Sequence, residues 1–126
     1  MKRWMMVMAA LVAALQFTLA QAAVAYTQAD FDKLMAEGKP VLVEVHADWC
    51  STCRTQAPIT DALLKKPELS KVTALRVDFD KQKETVKAFN VSQQSTLIVF
   101  KGGKEVGRSI ADTSASGIEA LIRKAL

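Results

Sequence analysis

Cysteine and histidine are scarce: the 126 residues hold two of the first and one of the second. Two cysteines and one histidine leave a tetrahedral zinc site a ligand short, so a metal centre would have to be shared across a dimer. Arg54, not histidine, follows Cys53, which argues against c-type haem attachment. The thiols, Cys50 and Cys53, enclose only two residues, a loop too short to constrain an unfolded chain much, so a purely structural disulfide is a poor reading. Charge of one sign is also lacking. The net charge of +4 falls to +2 once Lys2 and Arg3 are set aside, too weak and dispersed for nucleic acid. No repeat, low-complexity tract or internal linker breaks the chain, and half the residues are hydrophobic, as one globular domain requires.

A membrane-spanning run is missing too. Trp4–Leu15 and Phe17–Ala20 make an interrupted apolar stretch of about 16 residues, short of the roughly 20 that a spanning helix needs. Lys2-Arg3 precede it, and the small-residue patterns Ala20-Gln21-Ala22 and Ala23-Val24-Ala25 follow. That order describes a secretory signal peptide. Cleavage near 22 or 25 is expected to leave a mature chain of 104 or 101 residues, so residues 1–25 are set outside the fold. The mature protein is expected in the periplasm, free of stable membrane insertion, where cysteines can persist as disulfides.

The remainder reads as alternating helices and strands. Thr27 caps a first helix, with Phe31, Leu34 and Met35 at helical spacing, and Gly38 and Pro40 end it. Val41–Ala47 is β-branched and nearly all apolar, as a central strand covered on both faces must be. A helix from Ser51 to about Lys65 carries Pro58 in its interior, where proline removes a hydrogen bond and kinks the axis. Pro67–Lys71 reads as a short helical piece, Val72–Phe79 as a strand, Lys81–Phe89 as a helix and Thr96–Lys101 as a strand. Gly102-Gly103 turn the chain into Glu105–Ile110, making a hairpin. Ser116…Glu119 reads as a capping box for a last helix with an inward stripe of Ile118, Leu121, Ile122 and Leu126. Strand–helix–strand units imply parallel pairing, with the hairpin as antiparallel edge. The class is α/β: a three-layer fold, a mixed sheet with helices on both faces.

One residue contradicts its surroundings. Glu44 sits mid-strand among valines, where a charged carboxylate is costly to bury and burial should raise its pKa.

Trp49-Cys50-Ser51-Thr52-Cys53 after an apolar strand, Pro58 five residues beyond, and Leu97-Ile98-Val99-Phe100-Lys101-Gly102-Gly103 near the end together resemble the thioredoxin family over residues 26–126. The resemblance implies an exported thiol–disulfide oxidoreductase, acting as a monomer on protein thiols and disulfides, needing no cofactor and recharged by an upstream electron donor. Cys50 would be the nucleophile at a helix N-terminus, where free N–H groups favour a thiolate. Cys53 would resolve the mixed disulfide. Glu44 matches the family's buried acid, usually Asp, thought to shuttle the second cysteine's proton, and Arg76 falls where the family often has Lys. A proton acceptor favours the reductive direction. Trp49 would shape the contact surface. His46 is either packing or a thiolate neighbour, and Asp48 a solvated acid. The family carries a cis-proline facing the cysteines, but here Ser95 stands there, before Thr96. A cis bond at a non-proline costs ~3–4 kcal/mol, so the expectation is either a trans bond with a reshaped loop or a strained cis bond. Substrate contact is assigned to Trp49, Ser95 and Thr96. The serine, whose hydroxyl would be free to face a thiolate or metal, motivates the alternatives: a metal- or iron–sulfur-binding module, or a redox-inert peptide-binding domain.

Overall fold

A six-residue strand whose side chains are buried on both faces needs a helical layer on each side, and Val41–His46 has both. In the computed structural model, which describes residues 22–126, it is the centre of a five-stranded sheet. The elements run β1 (Val24–Ala25), α1 (Gln28–Ala36), β2 (Val41–His46), α2 (Ser51–Leu64), a 3-10 turn (Pro67–Leu69), β3 (Thr73–Asp78), α3 (Lys83–Ala88), β4 (Thr96–Lys101), β5 (Lys104–Ile110) and α4 (Ala115–Arg123). Strand order is β1-β3-β2-β4-β5. β1 and β2 pair parallel to β3, whereas β2–β4 and β4–β5 are antiparallel.

The period of two along β2 divides the core. Val41, Val43 and Val45 join Leu75, Val77, Ile98 and Phe100 under α1 and α3. Leu42 joins Leu97, Val99, Leu63, Leu64, Ile118 and Ile122 on the other face, under α2 and α4. Each fully buried aliphatic side chain contributes about 1.5–3 kcal/mol. Glu44 keeps Leu42's parity, so the fold aims a carboxylate at the underside of α2. Pro58 lies on the exposed side of that helix, where its missing N–H leaves a carbonyl to water rather than to the core.

Several expectations need correction. The β3-α3-β4 unit is not parallel: antiparallel pairing begins at β2–β4, one strand before the hairpin. The last helix starts at Ser114, whose hydroxyl accepts from the Gly117 N–H at 3.2 Å, and not at Ser116. Ala125 faces inward there and Leu126 is exposed, since the helix has ended at Arg123 and its 3.6-residue period no longer applies. The hairpin turn is as expected, with Gly102 and Gly103 at φ +59° and +79°, a region glycine enters without steric cost.

The signal-peptide reading falls on residues that, up to Gln21, lie outside those described. Its last few residues do not. Val24 and Ala25 pair with Leu75 and Arg76, and the Tyr26 N–H donates to the Arg76 carbonyl at 2.8 Å. Two residues are too short a strand to show as a pattern in the sequence.

Candidate active site

The chain leaves β2 through Ala47-Asp48-Trp49 and enters α2 at Cys50. A helix needs its first N–H groups satisfied, usually by a Ser, Thr or Asp oxygen. Here the sulfur does it: Cys50 is the N-cap, and its Sγ accepts from the Cys53 N–H at 3.1 Å. A negative sulfur is stabilised by the same geometry, because the N–H dipoles of the first turn converge on it. Both cysteines are free thiols, Cys50 6% exposed and Cys53 2%. They pack with Ala47 and Phe79.

The two sulfurs are not equivalent. Burial, then its hydrogen bond to Cys50, pushes the Cys53 thiol up to about 11, and the Ala47 and Ser95 backbone only partly offsets this. Its Sγ lies 3.9 Å from the Val45 carbonyl, which can take a thiol proton but not a thiolate. Cys53 therefore holds its proton until something removes it.

Glu44 is placed to do so. It is 5% exposed, accepts from Thr60 Oγ1 at 2.6 Å and from Arg76 Nη2 at 3.3 Å. Burial raises its pKa, with the Thr60 hydrogen bond and the Arg76 guanidinium opposing. Between carboxylate and thiol is a cavity of about 10 Å³, lined by Glu44, Cys53, His46, Gln56, Arg76 and Leu97 among others. That is about the room one water needs. Thr60 serves both charge states of Glu44. Its hydroxyl is also 3.0 Å from the Ala57 carbonyl. One proton can serve only one acceptor, so it points to Glu44 when that is ionised, and turns to Ala57 when Glu44 is protonated and donates instead. Thr60→Val keeps the shape and removes the donor that lowers the Glu44 pKa. The expected result is that the pH at which turnover rises moves upward and that Thr60→Ser restores it; an unmoved profile in Thr60→Val would disconnect Thr60 from the carboxyl.

Trp49, 60% exposed, donates its Nε1–H to Asp80 Oδ2 at 2.7 Å, which fixes the ring against the turn after β3. His46 shares a hydrogen bond with Asp48 at 3.1 Å, and Asp48 is exposed. Opposite stand Ser95 and Thr96, both buried. Ser95 takes the reshaped-loop form: no cis peptide occurs among the described residues, and its φ is +61°. Its N–H donates to the Val45 carbonyl at 2.8 Å. Its hydroxyl donates to the Gln94 carbonyl rather than facing the thiols, which removes the observation that motivated a metal site. Among the described residues no group of three His, Cys, Asp or Glu gathers for a metal. The Thr96 hydroxyl is likewise turned into its own loop, onto the Gln93 carbonyl at 2.8 Å.

Thus Cys50, Cys53, Glu44 and the Ser95 backbone come together, with Trp49 beside them. Sequence reasoning missed Thr60 and Gln56. Both lie on the buried face of α2, at seven and three positions from Cys53. A polar residue at that spacing on an otherwise apolar stripe was the available signal.

The chain is similar to known proteins over most of its length. The family model described as Thioredoxin matches residues 22–124. A thioredoxin of Chlamydia trachomatis is 38% identical over 98 residues, covering 78% of this chain and 93% of that protein. One from Mycobacterium tuberculosis is 34% identical over 104 residues, covering 82% and 86%. Among solved structures, Trxlp from Edwardsiella tarda superposes with a TM-score of 0.76 at 42% identity, over 78% of this chain and 95% of that one. Fasciola hepatica thioredoxin gives 0.67 at 33%, over 78% and 93%.

Proposed function

The chain belongs to the thioredoxin family and is a thiol–disulfide oxidoreductase with Cys50 and Cys53 as its pair; on that premise we propose that it is exported and works as a reductase of protein disulfides. The observation that carries the direction is the shared cavity of Cys53 and Glu44, which gives the resolving thiol a buried proton acceptor.

The steps balance as follows. The Cys50 thiolate attacks one sulfur of a substrate disulfide; the Cys50–substrate bond forms, the substrate S–S bond breaks, and the leaving thiolate takes a proton from solvent. Cys53 passes its proton to Glu44 across the cavity, which has room for one water to carry it. Its thiolate then attacks Cys50 Sγ, the second substrate thiolate leaves, and Cys50 and Cys53 end as a disulfide. The substrate has gained the two electrons that the protein has lost. A dithiol donor, the role a reductase partner fills for the family, returns them. Trp49 and the Ser95–Thr96 backbone contact the substrate. The protein acts as a monomer and needs no cofactor.

Export rests on Lys2-Arg3, the apolar stretch and the small residues after it. Of the two cleavage patterns, a cut after Ala22 keeps β1 and its pairing to β3, and a cut after Ala25 removes it. The β1 pairing supports the cut after Ala22, with Ala23 as the first residue of the mature protein.

The test joins location to chemistry. Expressed from its own start, the protein should appear in the periplasmic fraction with Ala23 as N-terminus and reduce insulin in the presence of dithiothreitol. A midpoint potential more oxidising than about −180 mV would reverse the assigned direction. Retention of residues 1–22 in the membrane fraction would overturn export as a soluble protein.

A further inference from the structure

Gln56 lies one turn beyond Cys53 on the buried face of α2 and is 4% exposed. Its side-chain nitrogen donates to two carbonyls at once: Ser95 at 3.1 Å and Asp112 at 2.7 Å. These belong to different loops, one entering β4 and one leaving β5. The loops also meet each other, since the Ala111 N–H donates to the same Ser95 carbonyl at 3.1 Å. At that meeting point Ser95 and Ala111 have φ of +61° and +59°, where L side chains are strained. Strained backbone persists only where its surroundings hold it. A buried amide with both hydrogens committed is such a hold, because losing it strands carbonyls away from water.

We infer that Gln56 is a positioning residue for the substrate protein: it ties the Ser95 and Asp112 loops to the cysteine helix, making one docking platform at a set height above the thiols. The platform's exposed part includes Ala111 and the apolar side chain of Ile110, which is 52% exposed. Gln56 does not touch the reacting sulfurs' substrate. It acts through the loops, so its influence is confined to partners large enough to lean on them. The inference rests on the reading that Ser95–Thr96 backbone contacts the substrate.

That confinement gives the test. Gln56→Met keeps length and bulk and removes both donors; Gln56→Leu, also uncharged and without donors, carries the same comparison should the first fail to fold. Ile110→Asp probes the platform independently. Each is assayed on insulin and on 2-hydroxyethyl disulfide, which is too small to reach the loops. The expected result for the Gln56 variant and for Ile110→Asp is a KM for insulin raised at least tenfold. Because Gln56 also lines the cavity beside Cys53, the readout is a ratio: in each variant any fall in the small-disulfide rate should be at least tenfold smaller than the rise in insulin KM. Equal losses on both substrates in the Gln56 variant overturn the inference, because Gln56 would then act on the thiols or on folding. An insulin KM raised by Ile110→Asp but not by the Gln56 variant overturns the inference and leaves the docking reading standing. No change with Ile110→Asp overturns the docking reading, and the inference with it.

Discussion

Cys53→Ser should turn the protein from a catalyst into a trap. With an aromatic disulfide that releases a coloured thiol of low pKa, the variant should liberate one equivalent per chain and then stop, and mass spectrometry should find the other half on Cys50. Catalytic turnover should fall by at least 10³-fold. The asymmetry of the two sulfurs is the reason. Cys50 caps α2 and receives the Cys53 N–H, so a negative charge on it is met by the helix N-terminus. Cys53 is 2% exposed with its thiol pushed up to about 11, so at pH 7 it keeps its proton unless a base removes it. It does not compete for the first attack. Its value lies in being held beside Cys50 once the mixed disulfide forms, where proximity substitutes for reactivity. A serine hydroxyl there can still reach the Val45 carbonyl, so folding is little affected, but an oxygen at that position cannot displace sulfur. Cys50→Ser should release nothing at all. Continued turnover in Cys53→Ser, or an adduct on Cys53 in Cys50→Ser, would contradict the assignment.

These roles follow from position along the chain, and that is why the thiols were legible in the sequence while the floor and rim of their site were not. A strand that must be apolar on both faces and a helix that starts at the next polar break are local patterns, and β2, α2 and Cys50 follow from them. Glu44 was legible for the same reason, as the one charge where the pattern forbids one. Thr60 and Gln56 were hidden because their partners, Glu44 and the Ser95 and Asp112 carbonyls, are 16, 39 and 56 residues away. A polar residue on a helix carries no mark of which distant carbonyl it will meet. Likewise Ser95 signalled an unusual loop, but not that its hydroxyl would turn to Gln94 and leave the backbone facing Cys53. The direction of β4 was misjudged because a strand–helix–strand reading assumes the second strand lands beside the first. Here β4 lands across β2, and the antiparallel pairing that results is set by the whole sheet.

Glu44→Gln should separate stability from activity by moving them in opposite directions. Gln can still accept from Thr60 and Arg76, and Arg76 is exposed enough to keep water as a partner, so the variant removes the ionisation and little else. Consider stability first. Burial raises the Glu44 pKa above the ordinary 4.5, so the protein is relatively favoured while Glu44 is neutral, and that advantage is lost as pH rises through its folded-state pKa. Glu44→Gln does not suffer the loss. The two proteins should melt together at pH 4 and diverge above it, the variant being the more stable at pH 8, with each kcal/mol worth about 4–8 °C in a domain of this size. Activity should go the other way. Without an acceptor, Cys53, only 2% exposed, must lose its proton to bulk water directly, and general-base removal typically costs 10²-fold or more. The deficit has a window. Below the Glu44 pKa the parent cannot accept a proton either, and near pH 11 Cys53 ionises unaided, so parent and variant should converge at both ends and differ most between them. The first attack by Cys50, followed as the burst in Cys53→Ser, should be the same with Glu44 or Gln. A variant less stable at pH 8 would mean that the Arg76 pair outweighs burial, and the carboxylate would then be a structural ion. Equal turnover across the window would remove Glu44 from the proton path while leaving the Cys50–Cys53 exchange intact.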